Sequence, residues 1–131
     1  MSPRDKTILV VEDERALNYA ITHKLEMNGF KVVSARSVNQ ALGCLQEGTA
    51  IDAVWLDHYL FGPQSGLDLI TSLRNSKSWR SLPVLLVSNT VSPEKVQTYL
   101  KLGAYKYYAK VDNRLETIVG DIKSLLVGST A

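Results

Sequence analysis

Two stretches of this chain run apolar for four residues or more and then stop on acid. Thr7-Ile8-Leu9-Val10-Val11 ends on Glu12-Asp13-Glu14, and Ala53-Val54-Trp55-Leu56 ends on Asp57. Runs of this length, rich in β-branched residues and without polar alternation, predict strands buried on both faces. Such strands belong to parallel sheets covered by helices on both sides, which place their chemistry beyond the carboxyl ends of the strands. Two buried strands that both deliver carboxylates at that edge predict one polar site built from both.

Three further strands are legible. Phe30-Lys31-Val32-Val33 is short. Pro83-Val84-Leu85-Leu86-Val87 ends on Ser88-Asn89-Thr90, and Tyr105 to Ala109 ends on Lys110. Helical spacing fills the intervals. Ala16, Leu17, Ala20, Ile21 and Leu25 form one stripe, closed by Asn28-Gly29 as a left-handed cap. Ser37 caps a helix carrying Val38, Ala41, Leu42 and Leu45. Ser65 and Asp68 resemble a capping box ahead of Leu69, Ile70 and Leu73. Ser92-Pro93 opens a fourth helix with Val96, Tyr99 and Leu100 inward and Gly103 as its stop. Asp112 is read as the cap of a last helix with Leu115, Ile118, Val119, Ile122 and Leu126 inward. Residues 75–81 are polar and predict a loop.

Strand and helix alternate five times, which defines an α/β chain with a doubly wound parallel sheet. Right-handed crossovers favour the flavodoxin-like order 2-1-3-4-5 with five helices. The switch point of that order lies between the first and third strands, the two that end on acid. The 131 residues fit one domain, 1–131, with a core of about 7–126. With 45% apolar and 21% charged residues the composition is that of a globular chain, and no apolar run approaches the ~20 residues of a membrane span. The amino terminus lacks the apolar region of a signal peptide, and the one cysteine, Cys44, reads as a small packed hydrophobe between Leu42 and Leu45. A cytoplasmic protein is therefore expected. A net charge of +2 with scattered Lys and Arg gives no footprint for nucleic acid.

The strand ends supply Glu12, Asp13, Asp57, Ser88 and Lys110. Clustered carboxylates disfavour one another's ionisation unless a cation joins them. Magnesium suits such a set, since it binds through one or two carboxylates and shares its other positions with water and phosphate oxygens. A carboxylate at the floor of the pocket can act as a nucleophile that forms an acyl phosphate. Lys110 and the Ser88 hydroxyl could then balance the charge on the incoming group.

From Thr7 to about Leu126 these residues resemble the receiver domains of two-component response regulators. Ile8-Leu9-Val10-Val11-Glu12-Asp13-Glu14 is similar to the family's first strand and acidic metal pair. Asp57 matches its phosphoacceptor, Ser88 its switch hydroxyl, and Lys110 its lysine. Gly103-Ala104 with Tyr107 is similar to its fifth-strand motif, and Tyr107 becomes the switch aromatic. The resemblance implies a regulatory phosphoacceptor rather than an enzyme. Its donor would be a sensor histidine kinase or histidine phosphotransfer protein. Asp13, Asp57 and the backbone carbonyl of Tyr59 would hold magnesium, with Glu12 reaching it through water. The signal would leave through the face of the fourth helix, fifth strand and fifth helix to a downstream protein, and a transient dimer is compatible with it. Two features depart from the pattern. Val111 follows Lys110 where the family has proline, and a cis bond before valine costs roughly 2.5–4 kcal/mol, so a trans bond is expected and a less firmly fixed lysine. The loop from Asp57 to Gly66 is one residue longer than usual.

Other readings of the same residues exist. Glu12, Asp13 and Glu14 could serve only as acids at a helix start, Asp57 as a strand-end cap and Lys110 as a surface charge. His58 reads as an exposed loop residue lining the pocket, since no second His or Cys lies at metal spacing. Tyr107 could be a half-buried strand aromatic. Tyr99, Tyr105 and Tyr108 with Lys95, Lys101 and Lys106 form either an interaction face or a solvated surface. A haloacid-dehalogenase-like phosphatase would need a second acid where Tyr59 stands. A nucleotide- or flavin-binding module would need a glycine-rich first turn where Glu12-Asp13-Glu14-Arg15 stands. A docking module that keeps the receiver fold without taking phosphate is the remaining alternative.

Overall fold

Every apolar run becomes a strand and every periodic stretch a helix in the computed structural model, which describes residues 5–128. The strands are β1 (Thr7–Val11), β2 (Lys31–Ala35), β3 (Ala53–Leu56), β4 (Val84–Ser88) and β5 (Lys106–Ala109). The helices are α1 (Arg15–Met27), α2 (Val38–Gln46), α3 (Gly66–Arg74), α4 (Pro93–Lys101) and α5 (Leu115–Leu126). The sheet is parallel throughout, in the order β2-β1-β3-β4-β5, as the alternation predicts.

Alternation within each strand divides the core in two. Ile8, Val10, Ala53, Trp55, Leu85 and Val87 pack against Ile21 and Leu25 of α1 and against Ile118, Val119 and Ile122 of α5. Leu9, Val11, Val54, Leu56 and Leu86 face α2, α3 and the single buried residue of α4, Tyr99. Register then sets the site. Val11 pairs with Leu56, and the Asp57 N–H donates to the Val11 carbonyl at 3.0 Å, so the residues following both strands emerge side by side.

Local chemistry explains most helix ends. Gly29 and Gly103 follow α1 and α4 at φ of +91° and +82°, values that a side chain resists. The Ser65 N–H donates to the Asp68 carboxylate at 2.8 Å, as the capping box predicts. Arg74, at the end of α3, donates to the carbonyls of Leu82 at 2.9 Å and Leu102 at 2.6 Å, and also to those of Trp79 and Gly103. That one guanidinium ties the polar 75–81 loop to the turn after α4.

The last helix begins later than the sequence suggests. Lys110–Asp112 forms a single 3-10 turn, and α5 starts at Leu115 with Arg114 at its cap position, so Asp112 is no cap. Asn113 takes the local role, its side-chain amide donating to the Ala109 carbonyl at 2.9 Å. Leu100, expected inward, is 40% exposed. Among the described residues no helix is long and apolar enough to cross a membrane.

Candidate functional site

The carboxyl ends of β1, β3, β4 and β5 converge on Asp57. Its side chain is buried, as are Glu12 and Ser88. The Ser88 hydroxyl donates to Asp57 Oδ1 at 2.6 Å, and the Tyr59 N–H donates to the same oxygen at 3.2 Å. Lys110 Nζ donates to Asp57 Oδ2 at 2.9 Å and to Glu12 Oε1 at 2.6 Å. Glu12 Oε2 accepts from the Glu14 N–H at 3.0 Å. Every oxygen of both buried carboxylates therefore has a donor. The turn beneath them is fixed by Asn18, whose amide donates to the Glu12 carbonyl, and by Arg36, whose Nε donates to the Asp13 carbonyl.

One lysine serves two buried acids, and the electrostatics show the deficit. Burial pushes the Glu12 carboxyl up to about 7, and the Asp57 charge adds to this, against the opposing pull of Lys110 and the Glu14 N–H. For Lys110, burial disfavours the charged form, but hydrogen bonds to Glu12 and Asp57 outweigh it and raise its pKa. Asp13 completes an oxygen set: one carboxylate oxygen from each of Glu12, Asp13 and Asp57 lies within 4.8 Å of the others. Hard oxygen donors short of positive charge fit a divalent cation such as magnesium.

The structure thus brings Glu12, Asp13, Asp57, Ser88 and Lys110 together. Glu14 stays exposed, at the cap position of α1 without a side-chain capping bond. The Lys110–Val111 bond is trans, since the described residues contain no cis peptide, and the long lysine side chain reaches both acids regardless. Tyr107 is half-buried at the edge of the group, its hydroxyl donating to the Asn89 carbonyl at 3.0 Å.

Three expectations are corrected. His58 does not line the pocket. It is 4% exposed and turned to the other side of the sheet, where its Nδ1 and the Tyr99 hydroxyl share a 2.6 Å hydrogen bond. Burial, with the charge of Lys95, lowers its pKa, and burial raises that of Tyr99 well above the usual phenol range. Tyr99 itself is fully buried and offers nothing to an outer face. Tyr108 is also fully buried, its hydroxyl donating to Asp121. Lys95, Leu100, Lys101, Tyr105 and Lys106 remain exposed there. The sequence held a signal for His58: continuing the strand alternation one step beyond Asp57 points residue 58 toward α4, with Val54 and Leu56. No such signal marked the Tyr59 side chain, whose hydroxyl spans to the Thr90 carbonyl at 2.7 Å.

A doubly wound five-stranded sheet with buried acids and a lysine at its switch point has the architecture of a receiver. Residues 8–119 match the family model for the response regulator receiver domain, and the chain belongs to that family. It is 33% identical over 119 residues to the transcriptional regulatory protein CpxR of Escherichia coli, spanning 91% of this chain and 48% of that protein. It is 31% identical over 109 residues to the sensory/regulatory protein RpfC of Xanthomonas campestris, spanning 82% of this chain and 15% of that one. The chain therefore spans half or less of the length of these relatives. A receiver protein structure from Pseudomonas putida superposes with a TM-score of 0.84 at 25% identity, covering 91% of this chain and 96% of that one.

Proposed function

We propose that the chain is a phosphoacceptor switch of a two-component relay, in which Asp57 takes a phosphoryl group from a phosphohistidine donor. The supporting observation is the grip on Asp57: Ser88 on one oxygen and Lys110 on the other. An Asp57 oxygen forms the new P–O bond as the donor's P–N bond breaks. The leaving imidazole nitrogen keeps the electron pair and is protonated from solvent. Ser88 and Lys110 then exchange their bonds to Asp57 for bonds to phosphoryl oxygens, meeting the charge where it develops.

Asp13, Asp57 and the Tyr59 backbone carbonyl would hold magnesium, with Glu12 reaching it through water. When bound, the ion supplies charge neutralisation at the phosphoryl oxygens. Release of Ser88 from Asp57 opens space toward which Tyr107 can turn, altering the face of α4, β5 and α5. A downstream protein reads that face, where Lys95, Leu100, Lys101, Tyr105 and Lys106 are exposed. The upstream partner is a sensor histidine kinase or histidine phosphotransfer protein. We place the domain, working as one unit over 1–131, in the cytoplasm, with no direct contact to nucleic acid. It assists its own phosphorylation and dephosphorylation and is otherwise not an enzyme.

Intact-mass measurement after incubation with acetyl phosphate and magnesium tests this. The parent should gain one phosphoryl group, and Asp57→Asn should gain none. A parent that stays unmodified would leave the phosphate-independent docking module as the better reading.

A further inference from the structure

Helix α4 sends one fully buried side chain into the domain. Tyr99 is its only buried residue, while Val96 is half-buried and Lys95, Gln97, Thr98, Leu100 and Lys101 are exposed. The Tyr99 side chain does not stop in the apolar core. Its hydroxyl ends directly behind the acceptor, bonded to His58 Nδ1 at 2.6 Å, with the two rings edge to face at 5.7 Å. The notch it fills is narrow. A Cβ built on Gly66 would stand 2.6 Å from the Tyr99 hydroxyl, 2.6 Å from the Asp57 carbonyl oxygen and 3.1 Å from His58 Cα. The following peptide is also fixed, because the Gly66 N–H donates to the His58 carbonyl at 3.0 Å. The residue after Asp57 is thus clamped between α3 and α4.

We propose that His58 and Tyr99 are positioning residues that couple the Asp57 peptide to α4 by a route separate from Ser88 and Tyr107. The Ser88 and Tyr107 route runs through the loop before α4, where Tyr107 bonds the Asn89 carbonyl. The His58 and Tyr99 contact enters α4 near the end of its second turn. Displacement of the Asp57 peptide on phosphorylation therefore reaches α4 without passing through β5. Linkage makes the coupling reciprocal: a partner seated on α4 biases the conformation of the peptide that carries the acceptor. A buried His–Tyr pair serving packing alone would hold α4 equally in both states and transmit nothing. The proposal rests on the reading of Asp57 as phosphoacceptor.

The test uses the full chain with magnesium and beryllofluoride as the acyl-phosphate mimic, read by amide and imidazole NMR. In the parent, the amides of α4 and the His58 Nδ1 resonance should all shift with the mimic. Tyr99→Phe keeps the ring and removes the hydroxyl. Its α4 amides should lose most of their shift, while those of Ser88, Asn89 and Tyr107 keep theirs. Intact mass with acetyl phosphate runs in parallel. A Tyr99→Phe protein that gains the phosphoryl group and shows parental α4 shifts would overturn the coupling alone. A parent that gains no mass would overturn the phosphoacceptor reading and the coupling with it. Should Tyr99→Phe fail to fold, the parent still decides: an unmoved His58 Nδ1 resonance in the mimic-bound state overturns the proposal.

Discussion

Replacing Gly66 by alanine probes the most tightly packed point behind the acceptor. The added Cβ would meet the Asp57 carbonyl oxygen and the Tyr99 hydroxyl at 2.6 Å each, well inside van der Waals contact. Gly66 opens α3 without a positive φ, so backbone preference alone favours alanine, by about 0.4–1 kcal/mol. Steric cost opposes that gain. Overpacking of a close-packed site costs about 1–3 kcal/mol, because a backbone oxygen cannot swing away as a side chain can. Displacing the Tyr99 hydroxyl also strands two buried polar groups, at about 1–3 kcal/mol. A net loss of about 2–4 kcal/mol follows, a large share of the ~5–15 kcal/mol that holds a domain of this kind folded. At roughly 3–5 °C per kcal/mol for a chain of this size, the melting temperature should fall by about 6–20 °C. Urea unfolding is the assay, with a lower midpoint and an unchanged slope expected. In a Tyr99→Phe background one of the two clashes disappears, so the same substitution should cost at least ~1 kcal/mol less. A Gly66→Ala protein within ~0.5 kcal/mol of the parent, or more stable, would refute the packing argument.

Lys110→Met leaves Glu12 and Asp57 buried without their shared cation, and urea unfolding in the absence of metal should show a loss of about 3–5 kcal/mol. Ser88→Ala removes one of the donors to Asp57, and its phosphorylation by acetyl phosphate, followed by intact mass, should be slower by about 10²-fold. Stability should also depend on pH through Glu12. Its folded-state pKa is raised to about 7 from 4.5, so its contribution is fully present below 4.5 and lost as pH rises through about 7. Urea midpoints at about pH 5 and about pH 8 should differ in that direction without metal, and magnesium, which favours the charged carboxylate, should flatten the difference.

The strands and the groups at their ends could be read from the sequence because both follow short-range rules. An apolar run stops where burial stops, and parallel pairing carries each stop to the same edge of the sheet. Glu12, Asp13, Asp57, Ser88 and Lys110 all came from that one rule. Tyr99 shows where such rules fall short. Helical spacing turned it inward, yet its place among other tyrosines and lysines suggested an outer face, and spacing cannot reveal that a long side chain crosses the core to end against His58. Asp112 failed for a different reason. An acid ahead of an apolar stripe looks like a cap, but the Asn113 amide had already closed the turn on Ala109. Side-chain reach and competition for backbone carbonyls are three-dimensional facts with no periodicity to betray them.

The four carbonyls bonded by Arg74 give the domain a fulcrum. Two of them, on Leu102 and Gly103, belong to the turn that ends α4, so that end of the helix is pinned to α3 and to the loop before β4. The opposite end, at Ser92-Pro93, adjoins the loop of Asn89 and Thr90, whose carbonyls receive Tyr107 and Tyr59. Helix α4 is therefore a lever hinged at its carboxyl end. Nine residues at 1.5 Å rise make an arm of about 13 Å, so a tilt of only ~10° sweeps the free end by about 2 Å. Motion small enough to leave the core closed at Arg74 becomes a side-chain-sized displacement at Pro93 and Glu94.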